Sequence, residues 1–355
     1  MKLGIVGLPF SGKTTVFNAL TGAQGATGGY SKEANTAVVN VPDERVDTLC
    51  EMFPPKSVHY AQIEYVDIPG VSASDRHDQI VGTLAAIREV DALVQVVRLF
   101  EDPAAPHPRG SLDPKRDAQE LWEELLVADM DVAERRVERL RKQIHKPTPT
   151  QEQDKKQLAV LERCLAAFEQ GKGVRDIGLS DDDSFAIRAF QFLTEKPMLF
   201  ALNVEEDQLG TEEAERAAKE LDSDTVVMSA RIEVEIGELD PEERTMFMEE
   251  LGIEELASGR LVRACYRLLN LRSFFTGIAL DFYVWTVRGG ETAFEAAGEI
   301  HSDIQRGFIR AEVMSYDDVV ELGSEKAVRA AGRARLEGKD YEVQDGDIIL
   351  FRFKV

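Results

Sequence analysis

Gly7-Leu-Pro-Phe-Ser-Gly-Lys-Thr14 is the stretch on which the reading of this chain turns. Its spacing, G-x-x-x-x-G-K-[ST], is that of a phosphate-binding loop. Gly7 and Gly12 let the backbone turn so that successive N–H groups face one anion, and Lys13 reaches the β and γ phosphates. The Thr14 hydroxyl is placed to ligate Mg²⁺. An apolar strand candidate, Leu3–Val6, enters the loop and a helix candidate, Thr15 to Leu20, leaves it, aiming a helix N-terminus at the anion. Leu8, Pro9, Phe10, Ser11, Gly12, Lys13, Thr14 and Thr15 are therefore expected to bind the nucleotide, with Lys13 also serving catalysis. The plain alternative is a glycine-rich strand–helix turn carrying a surface lysine.

The 355 residues suggest two or three domains. With 65 acidic and 42 basic residues the formal charge is −23, so the chain as a whole repels nucleic acid and anionic membrane. Nucleic-acid contact needs a local basic face. Cys50, Cys164 and Cys265 are far apart and lack CxxC spacing, which reads as free thiols in a reducing compartment. The first strand begins at the N-terminus, and no apolar run approaches the roughly 20 residues of a membrane span. The expectation is a cytoplasmic, monomeric protein with no membrane and no specific DNA partner.

Strand patterns at Leu3–Val6, Ala37–Val41, Gln62–Val66 and Ala92–Val97 alternate with helical ones, which predicts a doubly wound α/β domain. After a Pro-rich loop, Trp122, Leu126, Met130, Ala133, Val137, Leu140 and Ile144 recur at steps of four and three, the seam of a long amphipathic helix. Leu158, Leu161, Leu165 and Phe168 repeat the spacing beyond a Pro-containing break, predicting an antiparallel helical hairpin. Strands resume at Met198–Leu202 and Thr225–Met228. From about Phe275 the texture is that of a small strand-rich α+β domain. The expected division is a nucleotide domain at 1–120 and 196–274, a helical insertion at 121–195 and a C-terminal domain at 275–355.

Two further elements support a nucleotide site. Asp67-Ile-Pro-Gly70 ends an apolar strand, where a carboxylate can hold Mg²⁺ and Gly70 admits the γ-phosphate. Asn203-Val-Glu-Glu206 stands where GTPases usually present N-K-x-D; the Lys is missing and Glu206 takes the Asp position. A longer carboxylate fits guanine poorly, while the Asn203 amide suits the edge of adenine. Ser229-Ala-Arg231 follows the next strand and puts Ser229 and Ala230 near the base. Asn203, Val204 and Glu206 complete the expected base contacts.

These segments, with Val41-Pro-Asp-Glu-Arg45, Ile87 to Arg98, Ala297 to Asp303, Gly307 to Glu312 and Gly338 to Asp347, resemble the YchF/Obg-like ATPase family over nearly the whole chain. The resemblance implies an α/β P-loop NTPase G domain (OBG type) with a coiled-coil insertion and a C-terminal α+β β-grasp (TGS) domain. It also implies ATP preferred over GTP, slow hydrolysis and association with the ribosome. The family's loop usually carries Asn where this chain has Phe10. Aligning Asn35 puts Ser31 in the place of the Mg²⁺-binding Thr, beside Thr14 and Asp67, and Tyr30 in that of a Cys. Val71 occupies the position of the usual water-orienting Gln, so another group must orient water. His107, in the loop after Phe100, sits where the family also shows a His and is the catalytic candidate; His77 is the other.

Basic runs at Lys326, Arg329, Arg333, Arg335 and Lys339, and at Arg135, Arg136, Arg139, Arg141, Lys142 and Lys146, could contact ribosomal RNA or protein; solvated helix faces are the alternative. The reading is a Mg·ATP-binding, slowly hydrolysing ribosome partner. A GTPase switch and a non-hydrolysing nucleotide-dependent scaffold are its rivals.

Overall fold

The computed structural model describes residues 1–22, 35–70, 77–145, 148–222 and 224–354. The chain opens with β1 (Lys2–Val6), α1 (Lys13–Thr21), β2 (Asn35–Asn40), α2 (Glu44–Met52) and β3 (Ser57–His59). It continues through β4 (Gln62–Asp67), α3 (His77–Arg88) and β5 (Ala92–Arg98) into the long helices α4 (Pro114–Gln143) and α5 (Gln151–Phe168). Next come α6 (Asp181–Ile187), β6 (Met198–Asn203), α7 (Glu212–Leu221), β7 (Val226–Met228), α8 (Ala230–Glu238), α9 (Pro241–Glu250) and α10 (Ala257–Leu268). The last stretch holds β8 (Leu271–Thr276), β9 (Asp281–Arg288), α11 (Ala293–Ile300), α12 (Ser302–Arg306) and β10 (Phe308–Ser315). Helices α13 (Tyr316–Leu322) and α14 (Glu325–Ala330) precede β11 (Arg335–Glu337) and β12 (Asp347–Phe353). Met1–Ala37 with Glu64–Leu261 form one compact unit, and Val38–Ile63 with Val262–Val355 form another.

One sheet has the order β2-β4-β1-β5-β6-β7. Strand β1 pairs in parallel with β4 and β5, and β5, β6 and β7 continue in parallel. Every residue of β5 is buried, which is why its sequence is almost continuously apolar. Parallel strands deliver their C-terminal ends to one edge. The strand order reverses about β1, the place where doubly wound sheets bind ligands. One side of this unit is closed by Val6, Ile68, Ile87, Leu93, Leu121 and Leu125, another by Val97, Leu202, Ala214 and Ala218.

The predicted hairpin is present as α4 and α5. Asp113 caps α4, its carboxylate accepting from the Arg116 N–H, with Pro114 just inside the helix where a missing N–H costs nothing. Leu126, Ala133, Val137 and Leu140 pack on Leu158, Leu161, Cys164 and Phe168, the predicted seam, with Trp122, Met130, Ile144 and Leu165 at its margin. Burial pushes the Cys164 thiol up to about 11, leaving it protonated and inert at neutral pH. The segment joining α5 to β6, largely within the expected helical insertion, contains α6 and three 3-10 turns. These elements are too short to show a helical period in sequence.

The C-terminal unit holds a second sheet, of order β11-β10-β12-β8-β9-β3. Phe274, Val287, Phe308, Val313 and Ile349 pack beneath α11 through Ala293, Ala296 and Ala297. Strand β9 and helix α11 fit the strand-rich α+β texture expected from about Phe275. Strand β8 starts at Leu271, and β3 pairs in parallel with β9 from Ser57 opposite Asp281 to His59 opposite Tyr283. Three residues are too few to display alternation, so β3 is invisible in sequence.

Asp129 ties α4 to the chain entering β6. It is fully buried, and its carboxylate accepts from the N–H groups of Leu193 and Thr194 and from the Thr194 hydroxyl, at 2.8–3.0 Å. Burial raises its pKa; these hydrogen bonds and Arg88 pull it back. Asp129→Ala leaves two buried N–H groups unsatisfied and is expected to cost on the order of 3 kcal/mol, read by urea unfolding. A loss below about 0.5 kcal/mol contradicts this role.

Candidate functional site

Strand β1 ends at Val6 and the chain turns at once. A Cβ at Gly7 would lie 2.6 Å from the Val96 carbonyl oxygen and 2.7 Å from Ser11 Oγ, so only glycine fits. Gly12 has φ 86° and opens α1 as its N-cap; a Cβ there would overlap the Asn203 amide nitrogen. From Lys13 onward the free N–H groups of the first helical turn face the sheet edge. Gly70 closes in from β4: its Cβ would be 2.9 Å from the Gly7 carbonyl oxygen and 3.0 Å from Lys13 Nζ. Gly7, Gly12, Lys13 and Gly70 thus share one cradle, as the sequence predicts.

Asp67 stands at the end of β4 beside that cradle. Its Oδ2 accepts a 2.8 Å hydrogen bond from the Thr14 hydroxyl, while its buried Oδ1 has no partner among the described residues. The group is 8% exposed. Burial raises the Asp67 pKa, opposed by the Thr14 hydrogen bond and Lys13. Burial lowers the Lys13 pKa, opposed by Asp67. Each group is short of counter-charge: the lysine matches a phosphate, and an unsatisfied oxygen beside a hydroxyl fits a hard divalent cation. Thr14 and Asp67 are brought together as expected.

Asn203 ends β6. Its Nδ2 donates to the Ser11 carbonyl at 3.2 Å and its Oδ1 accepts from the Ala230 N–H at 3.1 Å. It therefore clamps the phosphate loop to the Ser229–Ala230 turn. These two bonds use one N–H and one lone pair of the amide and leave its second N–H unspent. Val204 is buried and donates to the Met228 carbonyl. Ser229 Oγ and Ser11 Oγ are buried without partners among the described residues and are polar atoms open to a ligand. Glu206 is exposed and its carboxylate makes no hydrogen bond to the described residues. A 900 Å³ cavity bordered by Glu205, Glu206, Asp207 and Glu250 is acidic and includes no phosphate-loop residue, so it is no phosphate site.

Phe10 is 60% exposed and has φ 64°, a left-handed conformation that costs a non-glycine residue about 1–2 kcal/mol. Arg98, 3% exposed at the end of β5, donates to the Phe10 carbonyl at 3.2 Å, and its guanidinium lies 4.4 Å from the Phe100 ring centre. Sequence reasoning missed the role of Arg98. The signal was a charged residue closing an otherwise apolar buried strand.

His107 is held rather than mobile. Its Nδ1 accepts from the Arg109 N–H at 3.1 Å, which fixes the proton on Nε2, and Nε2 donates to Asp117 Oδ2 at 2.8 Å. Asp117 also accepts from Arg116. With both nitrogens occupied, the imidazole orients no water in this arrangement. Ser31, Tyr30 and Val71, and the His77 side chain, lie outside the described residues.

Most of the two basic runs is matched internally. Arg135 pairs with Asp131, Arg136 with Asp154, Arg141 with Glu162 and Lys142 with Glu138. Arg329 pairs with Glu312 and Glu325, Arg333 with Asp318 and Glu321, and Lys339 Nζ sits 4.6 Å from the Phe294 ring centre. Lys146 lies outside the described residues.

The chain is similar to known proteins along its full length. A 50S ribosome-binding GTPase model matches residues 2–133, and a YchF GTPase C-terminal model, described as a protein of unknown function, matches residues 271–354. A ribosome-binding ATPase YchF of Haemophilus ducreyi is 42% identical over all of this chain and 99% of its own length. That of Bacillus subtilis is 39% identical over the whole of both chains. The solved structure of the Schizosaccharomyces pombe YchF GTPase superposes with a TM-score of 0.87 at 31% identity, over 99% of this chain and 97% of that one. No described helix is long and apolar enough to cross a membrane.

Gly12→Ala forces a methyl group into the Asn203 amide at a left-handed residue. Nucleotide affinity is expected to fall about a hundredfold or more by calorimetry, a loss of roughly 2.7 kcal/mol. Wild-type affinity in this variant contradicts the geometry.

Proposed function

The chain belongs to the YchF family of P-loop NTPases, and on that premise we propose that it binds Mg·ATP, hydrolyses it slowly and couples nucleotide state to ribosome contact. The observation that carries the reading is the Thr14–Asp67 pair, with its unsatisfied carboxylate oxygen, beside Lys13 in a glycine cradle. Thr14, Asp67 and Ser31 are the residues assigned to Mg²⁺, which when bound neutralises charge on the β and γ phosphate oxygens. Lys13 and the first N–H groups of α1 bind the phosphates and stabilise charge there as the bond to the leaving group breaks. Asn203 sets the spacing between the phosphate loop and the Ser229–Ala230 turn, and Leu8 to Thr15, Gly70, Val204 and Ser229 line the nucleotide.

Preference for ATP is supported by the absence of a fixed carboxylate at Glu206, since guanine recognition needs an acceptor held against its N1–H and N2–H₂. Slow turnover is supported by His107, whose nitrogens are both engaged. Ribosome contact, and with it a cytoplasmic location, is supported by the relatives' names. We assign it to the hairpin and the C-terminal domain. Their paired arginines mean that shape and polar contacts outweigh counterion release.

Phosphate release with and without ribosomes tests this reading. Slow basal release from ATP, raised by ribosomes and lowered about a hundredfold in Lys13→Ala, is expected. Release that is absent in every condition, or indifferent to Lys13, overturns it.

A further inference from the structure

Among the described residues Arg98 is hydrogen-bonded only to main-chain carbonyls, one in the phosphate loop and two in the segment after β5. Its Nε donates to Phe100 at 2.8 Å, and its Nη1 donates to Ala105 at 2.8 Å and to Phe10 at 3.2 Å. Among the described residues no carboxylate pairs with it, whereas a buried cation is ordinarily met by an anion. The Phe10 carbonyl belongs to the left-handed residue of the phosphate loop. Ala105 lies in a turn closed by hydrogen bonds from Ala104 and Ala105 back to Asp102. Two residues further on, His107 grips Asp117 in the first turn of α4, and Arg116 holds the same carboxylate. Phe100 adds a second tie, its ring lying 3.7 Å from where a Gly12 Cβ would be. A continuous run of contacts therefore leads from the phosphate loop through Arg98 to the root of the hairpin.

We infer that Arg98 is a positioning residue that couples occupancy of the phosphate loop to the 100–113 segment and, through His107 and Asp117, to α4. An anion that draws the loop's N–H groups inward must move or stiffen the Phe10 peptide, and the guanidinium transmits that restraint to Ala105. Linkage makes the coupling reciprocal: whatever fixes the root of α4 also tightens the nucleotide site. The inference rests on the nucleotide-site reading above and adds a route from that site to the hairpin.

Hydrogen exchange of the full chain with and without saturating Mg·ATP tests it, alongside ATP affinity by calorimetry. In the wild type, ATP is expected to slow exchange across 101–117 by about tenfold or more. In Arg98→Gln that slowing drops below about twofold while affinity stays within about tenfold of wild type, a split that simple destabilisation does not give. Arg98→Lys keeps the cation without the planar fork. It carries the test if Arg98→Gln does not fold, and is expected to transmit less protection than the wild type at similar affinity. Full transmission in a folded variant, or a wild type that binds ATP without change in 101–117, overturns the inference alone. A wild type that binds no nucleotide overturns the reading beneath it as well.

Discussion

The approach of Gly12 to the Asn203 amide is the constraint on which the nucleotide site depends. It puts the phosphate loop against the end of β6 with no room for a side chain, and lets one amide satisfy Ser11 on one side and Ala230 on the other. Two loops far apart in sequence are thereby fixed relative to each other before any ligand arrives. Preorganisation of this kind lowers the ordering cost of binding, because the N–H groups that meet the anion are already aimed. The parallel sheet makes the arrangement possible. It brings the ends of β1, β4, β5, β6 and β7 to one edge, where Lys13, Asp67, Arg98, Asn203 and Ser229 stand.

Electrostatics sharpen the picture. A chain of charge −23 keeps a half-buried Lys13 and a buried Arg98 at this edge. Elsewhere its arginines are largely spent on its own carboxylates, as at Glu312, which Arg329 and Arg352 hold below the usual carboxylate range. Of the two, Lys13 faces the phosphate cradle, while Arg98 is spent on main-chain carbonyls. The runs that look basic in sequence present mixed charge in three dimensions.

The parts legible in sequence are those governed by local rules. The phosphate loop is fixed by backbone geometry that only glycine allows, the hairpin by a period repeated over many turns, and β5 by a run that is apolar but for Gln95 and the closing Arg98. What escaped depends on long-range packing. No local pattern shows that β3 will pair with β9, that His107 will be locked by Asp117, or that the Asn203 amide will be used inside the protein. Arg98 was in plain view as a charge at the end of a buried strand, yet its partners are carbonyls, and main-chain acceptors leave no signature in a sequence.

We propose a preformed Mg·ATP site in which no described carboxylate is fixed to read guanine. Calorimetric titration of the full chain with ATP and with GTP, in the presence and absence of Mg²⁺, tests it most directly. ATP is expected to bind about tenfold or more tighter than GTP, with affinity that falls when Mg²⁺ is withdrawn. Tighter binding of GTP, or binding indifferent to Mg²⁺, contradicts the account.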